Sequence, residues 1–214
     1  MFVTLEGIDG AGKSTQARLL AEALGPETLL LREPGGTAVG ERLRELLKDG
    51  SLELSPRAEL LLFCAARAEL VERVIKPALE AGRDVVCDRF VDSTVAYQGA
   101  RGIDPELIAG VLAAAVDGCY PDRTVLLRVD VRRAVDRTEV RGGPRTSDRF
   151  EREGPVFQER IAATFDAIAS EEPGRVVAVD AIGSVEEVHA RILTALEVGR
   201  ESGVERRSGA PGPG

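Results

Sequence analysis

A glycine-rich segment near the start of the chain has the residue types and spacing of a phosphate-binding loop. Residues 7–14 (GIDGAGKS) match the pattern G-x-x-x-x-G-K-S/T, between a short apolar run and a stretch with helical spacing. Glycines let the backbone wrap closely around a phosphate, and the N–H groups at a helix N-terminus then face the anion. Lys13 would reach the terminal phosphates of a nucleotide, and Ser14 would bind Mg²⁺. The expected nucleotide-binding residues are Gly7, Ile8, Asp9, Gly10, Ala11, Gly12, Lys13, Ser14 and Thr15.

A second pair of candidate residues stands at the end of another apolar run. Asp88 and Arg89 follow Val85-Val86-Cys87, which is typical of a short buried strand. If that strand lies beside the one leading into the loop, Asp88 would be close to the metal and the phosphates. Arg89 would then be placed to hold a second phosphate through paired hydrogen bonds. The expected metal ligands are Ser14 and Asp88.

Other side chains could bind the rest of a nucleotide. Residues 32–37 (REPGGT) follow a further apolar run, and their glycines permit close approach to a ligand, as they would in a plain turn. Phe63 and Arg67 are four residues apart and share a helix face, where they could stack on a base and bind its edge. Without other evidence, a Phe and an Arg at this spacing are more often a core Phe beside a solvated Arg than a base-binding pair. Hydroxyl and amide groups suited to a neutral base and a sugar follow at Ser93, Thr94, Tyr97 and Gln98.

Composition and charge exclude several classes of function. The 214 residues include 36 acidic and 28 basic side chains, and the net charge of −8 argues against nucleic-acid and membrane-surface partners. The chain has no Asn, which the Asn-Lys-x-Asp motif of GTPases requires, and its single His, His189, cannot form a His-rich zinc site. Three cysteines without a Cys-x-x-Cys pair fit a reducing compartment. Because no signal-peptide pattern or membrane-length apolar run is present, we expect a cytoplasmic protein.

Short apolar runs alternate with helical stretches along the chain. Strands are predicted at residues 2–5, 28–31, 84–87, 124–129 and 175–179. Helices are predicted at residues 14–24, 37–48, 56–80 (kinked or ended at Pro77), 105–116, 131–140, 155–170 and 185–198. This alternation predicts an α/β fold with a five-stranded parallel sheet and helices on both faces. We expect one domain over residues 1–199, a mobile surface loop over 141–149 and a disordered tail over 200–214.

Taken together, these motifs resemble those of the thymidylate kinase family, whose members transfer a phosphoryl group from ATP to dTMP. The resemblance covers about residues 2–198 in the family's order. It is carried by residues 6–16 (EGIDGAGKSTQ), 32–37 (REPGGT), 62–67 (LFCAAR), 75–79 (IKPAL), 88–90 (DRF), 93–99 (STVAYQG) and 121–122 (PD). It implies a P-loop nucleoside monophosphate kinase fold with a short LID, the substrates ATP and dTMP, the cofactor Mg²⁺, and a homodimer. The apolar helix after Pro56 is the expected dimer interface.

The resemblance also implies roles for the residues that bind dTMP. Phe63 would stack on thymine, Arg67 would hydrogen-bond its O4 edge, and Thr94 and Gln98 would lie around the base. Tyr97 would lie under the sugar and disfavour a 2′-hydroxyl. The full expected set of substrate-binding residues is Asp9, Glu33, Phe63, Arg67, Arg89, Ser93, Thr94, Tyr97 and Gln98.

At the phosphate end, the resemblance implies that Asp9 contacts the region of the 3′-hydroxyl and that Arg89 bridges the two phosphate groups. Glu33 would lie near the acceptor phosphate and the metal. Some members carry an Arg in the P-loop where this chain has Gly10, so this chain looks like the bacterial arrangement, in which the LID supplies the catalytic Arg. Residues 141–149 resemble that LID. The expected catalytic residues are Lys13, Arg89, Arg141, Arg149 and Arg145, with Arg141 first among those of the LID.

Two alternatives and one departure stay open at this point. Another nucleotide kinase or a deoxynucleoside kinase would share the P-loop, but a nucleoside acceptor needs a base for its neutral hydroxyl, and Glu33 or Asp88 would then serve. A non-catalytic nucleotide-binding module would show no turnover. The departure is Arg128, near the end of the fourth predicted strand, where many family members have Asp.

Overall fold

The computed structural model describes residues 1–134 and 154–207, with side chains described as far as Glu197 in the last helix. The strands are β1 (Phe2–Glu6), β2 (Leu29–Arg32), β3 (Val85–Asp88), β4 (Arg123–Arg128) and β5 (Val176–Asp180). The labelled helices are α1 (Lys13–Leu24), α2 (Ala38–Lys48), α3 (Pro56–Leu70), α4 (Lys76–Glu80), α5 (Val91–Ala100), α6 (Pro105–Val116), α7 (Pro155–Glu171) and α8 (Val185–Arg207).

The five strands form one parallel sheet in the order β2-β3-β1-β4-β5. Its two faces bury separate apolar clusters. Leu5 of β1 packs with Leu20 of α1 and Ile161 of α7 on one face, whereas Phe2 of β1 packs with Leu60 of α3 on the other. The predicted five-stranded parallel sheet with helices on both faces is confirmed. The carboxyl ends of β2, β3 and β1 therefore lie side by side, which is where parallel sheets place their ligands.

Helix α5 was absent from the sequence prediction. Seven of its ten residues are buried, including Asp92, Ser93, Thr94 and Gln98. A helix that buries polar groups on one side and apolar groups on another lacks the apolar stripe by which amphipathic helices are recognised. The sequence therefore failed to predict a helix over Val91–Ala100, where polar side chains of the helix line a cavity.

The predicted helix over residues 56–80 contains a local change of pitch. A π-helical turn, Val71–Ile75, separates α3 from α4, and Pro77 lies in the first turn of α4. The missing N–H of a proline costs little at a helix start, so Pro77 begins a new segment instead of ending the helix.

Helix α8 continues to Arg207, so its backbone runs through residues 200–207, which the composition assigned to a disordered tail. Residues 131–134 are helical, and the rest of the predicted helix over 131–140 lies outside the described residues. Arg128, the departure from the family pattern, forms an ion pair of 2.6 Å with Asp166 of α7. Within residues 1–134 and 154–207, no helix combines the length and apolar character needed to cross a bilayer.

Candidate active site

The turn between β1 and α1 depends on its glycines. Gly7, Gly10 and Gly12 have φ angles of +137°, +80° and +96°, in the range that side chains disfavour. A Cβ atom on Gly7 would also lie 2.6 Å from the carbonyl oxygen of Leu127 in β4, so the site has no room for one. Gly12 is the N-cap of α1. The first N–H groups of α1 therefore face the turn, as an anion site requires.

Lys13, the first residue of α1, is buried against this turn. Its Nζ donates a hydrogen bond of 2.8 Å to the carbonyl oxygen of Ile8. Burial lowers the pKa of Lys13 to about 8, and the nearby charge of Arg89 adds to the fall. A phosphate in the turn would favour the charged ammonium, because an opposite charge at short range stabilises the ionised form.

Ser14 and Asp88 meet beside the turn, as the strand-end position of Asp88 predicts. Ser14 Oγ donates a hydrogen bond to Asp88 Oδ2. Asp88 Oδ1 is buried and has no hydrogen-bond partner among the described residues. Buried polar atoms without a partner are rare and call for an explanation such as an ion. A hydroxyl and a carboxylate beside a phosphate loop fit Mg²⁺, which prefers oxygen ligands.

Arg89 lies between the P-loop and α5, and its side chain is held on both sides. Nη1 donates hydrogen bonds to the carbonyl oxygen of Gly7 (3.1 Å) and to Ser93 Oγ (2.9 Å). Nη2 donates to Asp9 Oδ1 (2.6 Å) and to the Tyr97 hydroxyl (3.1 Å). The backbone of Arg89 has a φ of +72°, which is uncommon for a residue with a side chain. Such strain occurs where the surrounding structure fixes one geometry.

Asp9 and Tyr97 complete this cluster with a hydrogen bond of 3.0 Å from the Tyr97 hydroxyl to Asp9 Oδ2. Burial acts to raise the pKa of Asp9, but the charges of Arg89 and Lys13 outweigh burial and lower it to about 2. Burial raises the pKa of Tyr97, and the charge of Asp9 adds to the rise. At neutral pH the cluster therefore contains a carboxylate, a guanidinium and a neutral phenol.

Two adjoining cavities lie at this edge of the sheet, one at the phosphate turn and a second one beside it. Arg67 of α3 is buried and lines the second cavity. Its Nε and Nη2 atoms bind the carboxylate of Glu33, with Nε to Oε2 at 2.9 Å and Nη2 to Oε2 at 2.5 Å. Nη2 also donates to the carbonyl oxygen of Phe90 (3.0 Å), and Nη1 donates to Thr94 Oγ (2.9 Å). Burial raises the pKa of Glu33, and the positive charge of Arg67 partly opposes that rise. Glu33, which was expected near the acceptor phosphate and the metal, lines the cavity that Ser14 and Asp88 also line, and its carboxylate binds the guanidinium of Arg67.

Helices α3 and α5 form two sides of this second cavity. Phe63 of α3 is half-buried and lines it together with Arg67, Thr94, Tyr97 and Gln98. Gln98 Nε2 donates a hydrogen bond of 2.9 Å to Glu59 Oε1. The four-residue spacing of Phe63 and Arg67 thus places them on one helix face beside a cavity, as one of the two sequence interpretations required.

The second cavity adjoins the phosphate loop. Gly10, Gly12 and Lys13, with Ser14 and Asp88, line one cavity, and the residues around Phe63 line the other. Both cavities are lined by Asp9, Glu33, Arg44 and Arg89. Two ligands, one in each cavity, would therefore be adjacent at Arg89, whose guanidinium is held by the carboxylate of Asp9.

Comparison with known proteins agrees with this arrangement. A family model described as thymidylate kinase matches residues 5–192. The chain belongs to the thymidylate kinase family. Similar proteins include the thymidylate kinase of Rhizorhabdus wittichii, which is 48% identical over 200 residues covering 91% of this chain and 96% of that protein. Another is the thymidylate kinase of Gluconobacter oxydans, which is 50% identical over 204 residues covering 92% and 94%.

A solved structure supports the same assignment at the level of the fold. The chain is similar to the crystal structure of thymidylate kinase from Ehrlichia chaffeensis, with a TM-score of 0.76 and 36% identity. The similarity covers 92% of this chain and 98% of that one. The fold expected for a member of the thymidylate kinase family is therefore confirmed.

The segment expected from the sequence to form the LID, residues 141–149, lies outside the described residues. The three arginines expected to act there, Arg141, Arg145 and Arg149, lie outside the described residues. Most of the other expected site residues line the two adjoining cavities, whereas Gly7 and Ile8 line a separate cavity beside β4. Their individual roles stay predictions.

Sequence reasoning missed Glu6, the residue that precedes the P-loop. It is buried, and its carboxylate accepts hydrogen bonds from the N–H groups of Phe90 (2.7 Å) and Ser93 (3.1 Å) and from the Ser93 hydroxyl (2.6 Å). Glu6 thus caps the N-terminus of α5 and holds Ser93, which in turn binds Arg89. A charged residue at the end of a fully buried, mostly apolar strand was the available signal.

Two basic residues of α2 were also missed. Arg44 and Lys48 line the second cavity, and Arg44 donates a hydrogen bond of 2.8 Å to the carbonyl oxygen of Pro34. They are four residues apart on the helix that follows the REPGGT segment, so they share a face. That spacing, together with the nearby glycines, could have identified them.

Proposed function

We propose that the two adjoining cavities align ATP and dTMP for direct transfer of the γ-phosphoryl group, yielding dTDP. The observation that carries the proposal is that Arg89 and Asp9 line both cavities, between the P-loop and the cavity of Phe63 and Arg67. Holding two reactants in line removes much of the entropic barrier to a bimolecular reaction.

Residues of the P-loop and the end of β3 would hold the donor. The backbone N–H groups of residues 7–15 surround the phosphates of ATP, and Lys13 donates to the β- and γ-phosphates. Ser14 and Asp88 would hold Mg²⁺ through the hydroxyl and the unpartnered Oδ1. When bound there, Mg²⁺ would offset negative charge on the phosphoryl oxygens.

Residues of α3 and α5 would hold the acceptor. Phe63 stacks on thymine, and Thr94 and Gln98 lie beside the base. Arg67, oriented by its hydrogen bonds to Glu33, Thr94 and the Phe90 carbonyl, would donate from Nη1 to the O4 atom of thymine. Tyr97 lies under the sugar.

At the phosphate end, Arg89 contacts the acceptor phosphate, with Ser93 behind its guanidinium and Asp9 toward the 3′-hydroxyl. Arg141, with Arg149 and Arg145 after it, would add charge when the LID closes, and closure would exclude water.

This chemistry needs no general base. The acceptor is a phosphate monoester whose second pKa is about 6, so its oxygen is already deprotonated at neutral pH. A deoxynucleoside kinase would need a carboxylate at a hydroxyl group. Glu33, one candidate for that role, is instead bound to Arg67. This contact favours a monophosphate acceptor over a nucleoside.

We also infer a cytoplasmic homodimer. The cysteines Cys64, Cys87 and Cys119 are free thiols, which suits a reducing compartment. Leu61 and Ala65 of α3 are exposed, and α6, which packs beside α3, exposes Ala109 and Ala113. A second copy of the chain would cover this apolar face.

A panel of acceptors tests the proposed function. The purified protein is incubated with ATP, Mg²⁺ and dTMP, thymidine, dCMP or dGMP, and ADP formation is followed by a coupled assay. We expect turnover with dTMP to exceed that with each other acceptor by at least about 100-fold, because the site pairs with the polar edge of thymine. Faster turnover of thymidine than of dTMP would indicate a nucleoside kinase, and no turnover with any acceptor would indicate a binding module.

A further inference from the structure

We propose that Glu59 sets the base specificity of the acceptor site by fixing which end of the Gln98 carboxamide faces the base. The inference rests on the proposed function and names a residue that the sequence did not single out. Glu59 lies outside the cavity and acts through Gln98, so it is a positioning residue.

The contact between the two side chains has one chemically possible orientation. Gln98 Nε2 lies 2.9 Å from Glu59 Oε1, and both residues are buried. An ionised carboxylate only accepts hydrogen bonds, whereas a carboxamide donates from its nitrogen and accepts at its oxygen. Glu59 therefore selects the NH₂ end of Gln98. Oε1 of Gln98 is left as the end that can meet a ligand in the cavity that Gln98 lines.

A second donor also contacts the carboxylate of Glu59. Arg101, one residue past α5, donates from Nε to the same oxygen, Glu59 Oε1, at 2.8 Å. Arg101 also lies 5.2 Å over the ring of Phe157 in α7. Glu59 Oε1 thus accepts from a cation as well as from Gln98, which is the role of a carboxylate oxygen.

Helices α3 and α5 are joined by two side-chain pairs, Glu59 with Gln98 and Arg67 with Thr94, and Arg67 is the residue that would bind O4. Glu59, Phe63 and Arg67 follow one another at intervals of four residues on α3. Arg67 binds Thr94 of α5, and Glu59 binds Gln98 one helical turn further along α5. Phe63 lies between these two connections on the α3 side. A base stacked on Phe63 would thus have a donor, Arg67, toward one end and an acceptor, Gln98 Oε1, toward the other.

That order of donor and acceptor matches thymine and opposes cytosine. Thymine presents an acceptor at O4 and a donor at N3–H, whereas cytosine presents a donor at its 4-amino group and an acceptor at N3. A site with fixed polar groups rejects a ligand that leaves them unpaired. Without Glu59, the Gln98 carboxamide could turn over and present its NH₂ group to N3 of cytosine.

The test compares dTMP with 5-methyl-dCMP, which keeps the methyl group and differs only in the polar edge of the base. We expect Glu59→Gln to lower the ratio of kcat/KM for dTMP to that for 5-methyl-dCMP by about tenfold or more. The KM for ATP should stay near its wild-type value. Arg101→Gln is the matched control, since it removes a different contact of Glu59 and leaves the acceptor for Gln98 in place, and it should keep the wild-type ratio.

A double variant separates orientation of Gln98 from a general loosening of the helices. In a Gln98→Met background, Glu59→Gln should cause no further change in the ratio, because there is no carboxamide left to orient. An unchanged ratio in Glu59→Gln, or an equal further fall in the double variant, would overturn the proposal. If wild type fails to phosphorylate dTMP at all, the proposed function itself has failed.

A measurement on the wild-type enzyme does not depend on how the variants fold. The N3–H proton of bound, ¹⁵N-labelled dTMP should be protected from exchange with water and observable by NMR, because Gln98 Oε1 accepts it. Exchange as rapid as in free dTMP would overturn the proposal.

Discussion

At the scale of single residues, the site is built from charges that the protein has already paired. Arg67 gives four of its five N–H groups to Glu33, Thr94 and the backbone. Arg89 is held by Gly7, Ser93, Asp9 and Tyr97. Such side chains lose little conformational freedom when a substrate arrives, which is the advantage of a preorganised site.

The sequence predicted which residues gather here better than it predicted their partners. The P-loop pattern located Lys13 and Ser14, and the strand-end rule located Asp88. The pairing of Arg67 with Glu33 joins positions 34 residues apart on different elements. No local spacing specifies such a contact, so it could be found only from the folded chain.

Glu6 leads to a prediction about pH. Burial raises the pKa of its carboxyl to about 7, and the charge of Asp92 adds to the rise. The folded protein therefore keeps a proton on Glu6 at pH values where the unfolded chain has released it. A raised pKa of this kind contributes stability that is fully present below the unfolded pKa and is lost as the pH rises toward about 7.

Replacement of Glu6 by Gln should remove this dependence, since the amide does not titrate there and still offers an oxygen to the N–H groups of Phe90 and Ser93. We expect the free energy of unfolding of Glu6→Gln, relative to wild type, to increase between about pH 5 and about pH 8 by up to about 3 kcal/mol. Urea unfolding at both pH values measures this difference. Parallel pH profiles for the two proteins would contradict the assignment.

At the scale of elements, helix α5 explains both the success and the failure of sequence analysis. Helices α1 and α6 were predicted because apolar residues predominate at their buried positions. Helix α5 was missed because its buried positions include Asp92, Ser93, Thr94 and Gln98. Ser93, Thr94 and Gln98 line the second cavity, and Asp92 pairs with Arg175, so these polar side chains make contacts that an apolar core does not provide. The lack of a clear helical period was therefore itself a mark of function.

The exposed face of α3 and α6 leads to a prediction about assembly. Leu61, on this face, is 50% exposed, and Ala65 one helical turn away is also exposed. A glutamate at position 61 would place a charge inside the proposed homodimer interface. Because burying an unpaired charge is unfavourable, the dimer should be destabilised. We expect sedimentation velocity to show a dimer for wild type and a monomer for Leu61→Glu.

Val156→Glu is the matched control, because Val156 is also an apolar, exposed residue (64% exposed) and lies on α7, not on α3 or α6. It should remain dimeric. A monomeric wild type, or dissociation of both variants alike, would show that α3 and α6 do not form the interface.

At the scale of the whole molecule, the strand order creates the site. With β3 between β1 and β2, the residues that follow these three strands emerge side by side at one edge of the sheet. They include Gly7, Arg89 and Glu33. The predicted parallel sheet, together with the positions of the motifs, was enough to foresee that edge. Sequence could not show that α3 and α5 close it into a second cavity.

The central claim is that donor and acceptor phosphates meet at Arg89. Arg89→Met tests it most directly, because Met keeps an unbranched stem at the same strained backbone position while removing the charge. Arg18→Met removes an arginine from the surface of α1, where Arg18 pairs with Glu22 in solvent, and serves as the control. For both variants, kcat with dTMP and the affinity for ATP are measured.

We predict that Arg89→Met lowers kcat by at least about a thousandfold, the scale of loss when a charge at a transferring phosphoryl group is removed. ATP should still bind, since Lys13 and the P-loop are unchanged, and Arg18→Met should match wild type. A folded Arg89→Met enzyme whose kcat stays within about tenfold of wild type would contradict the account.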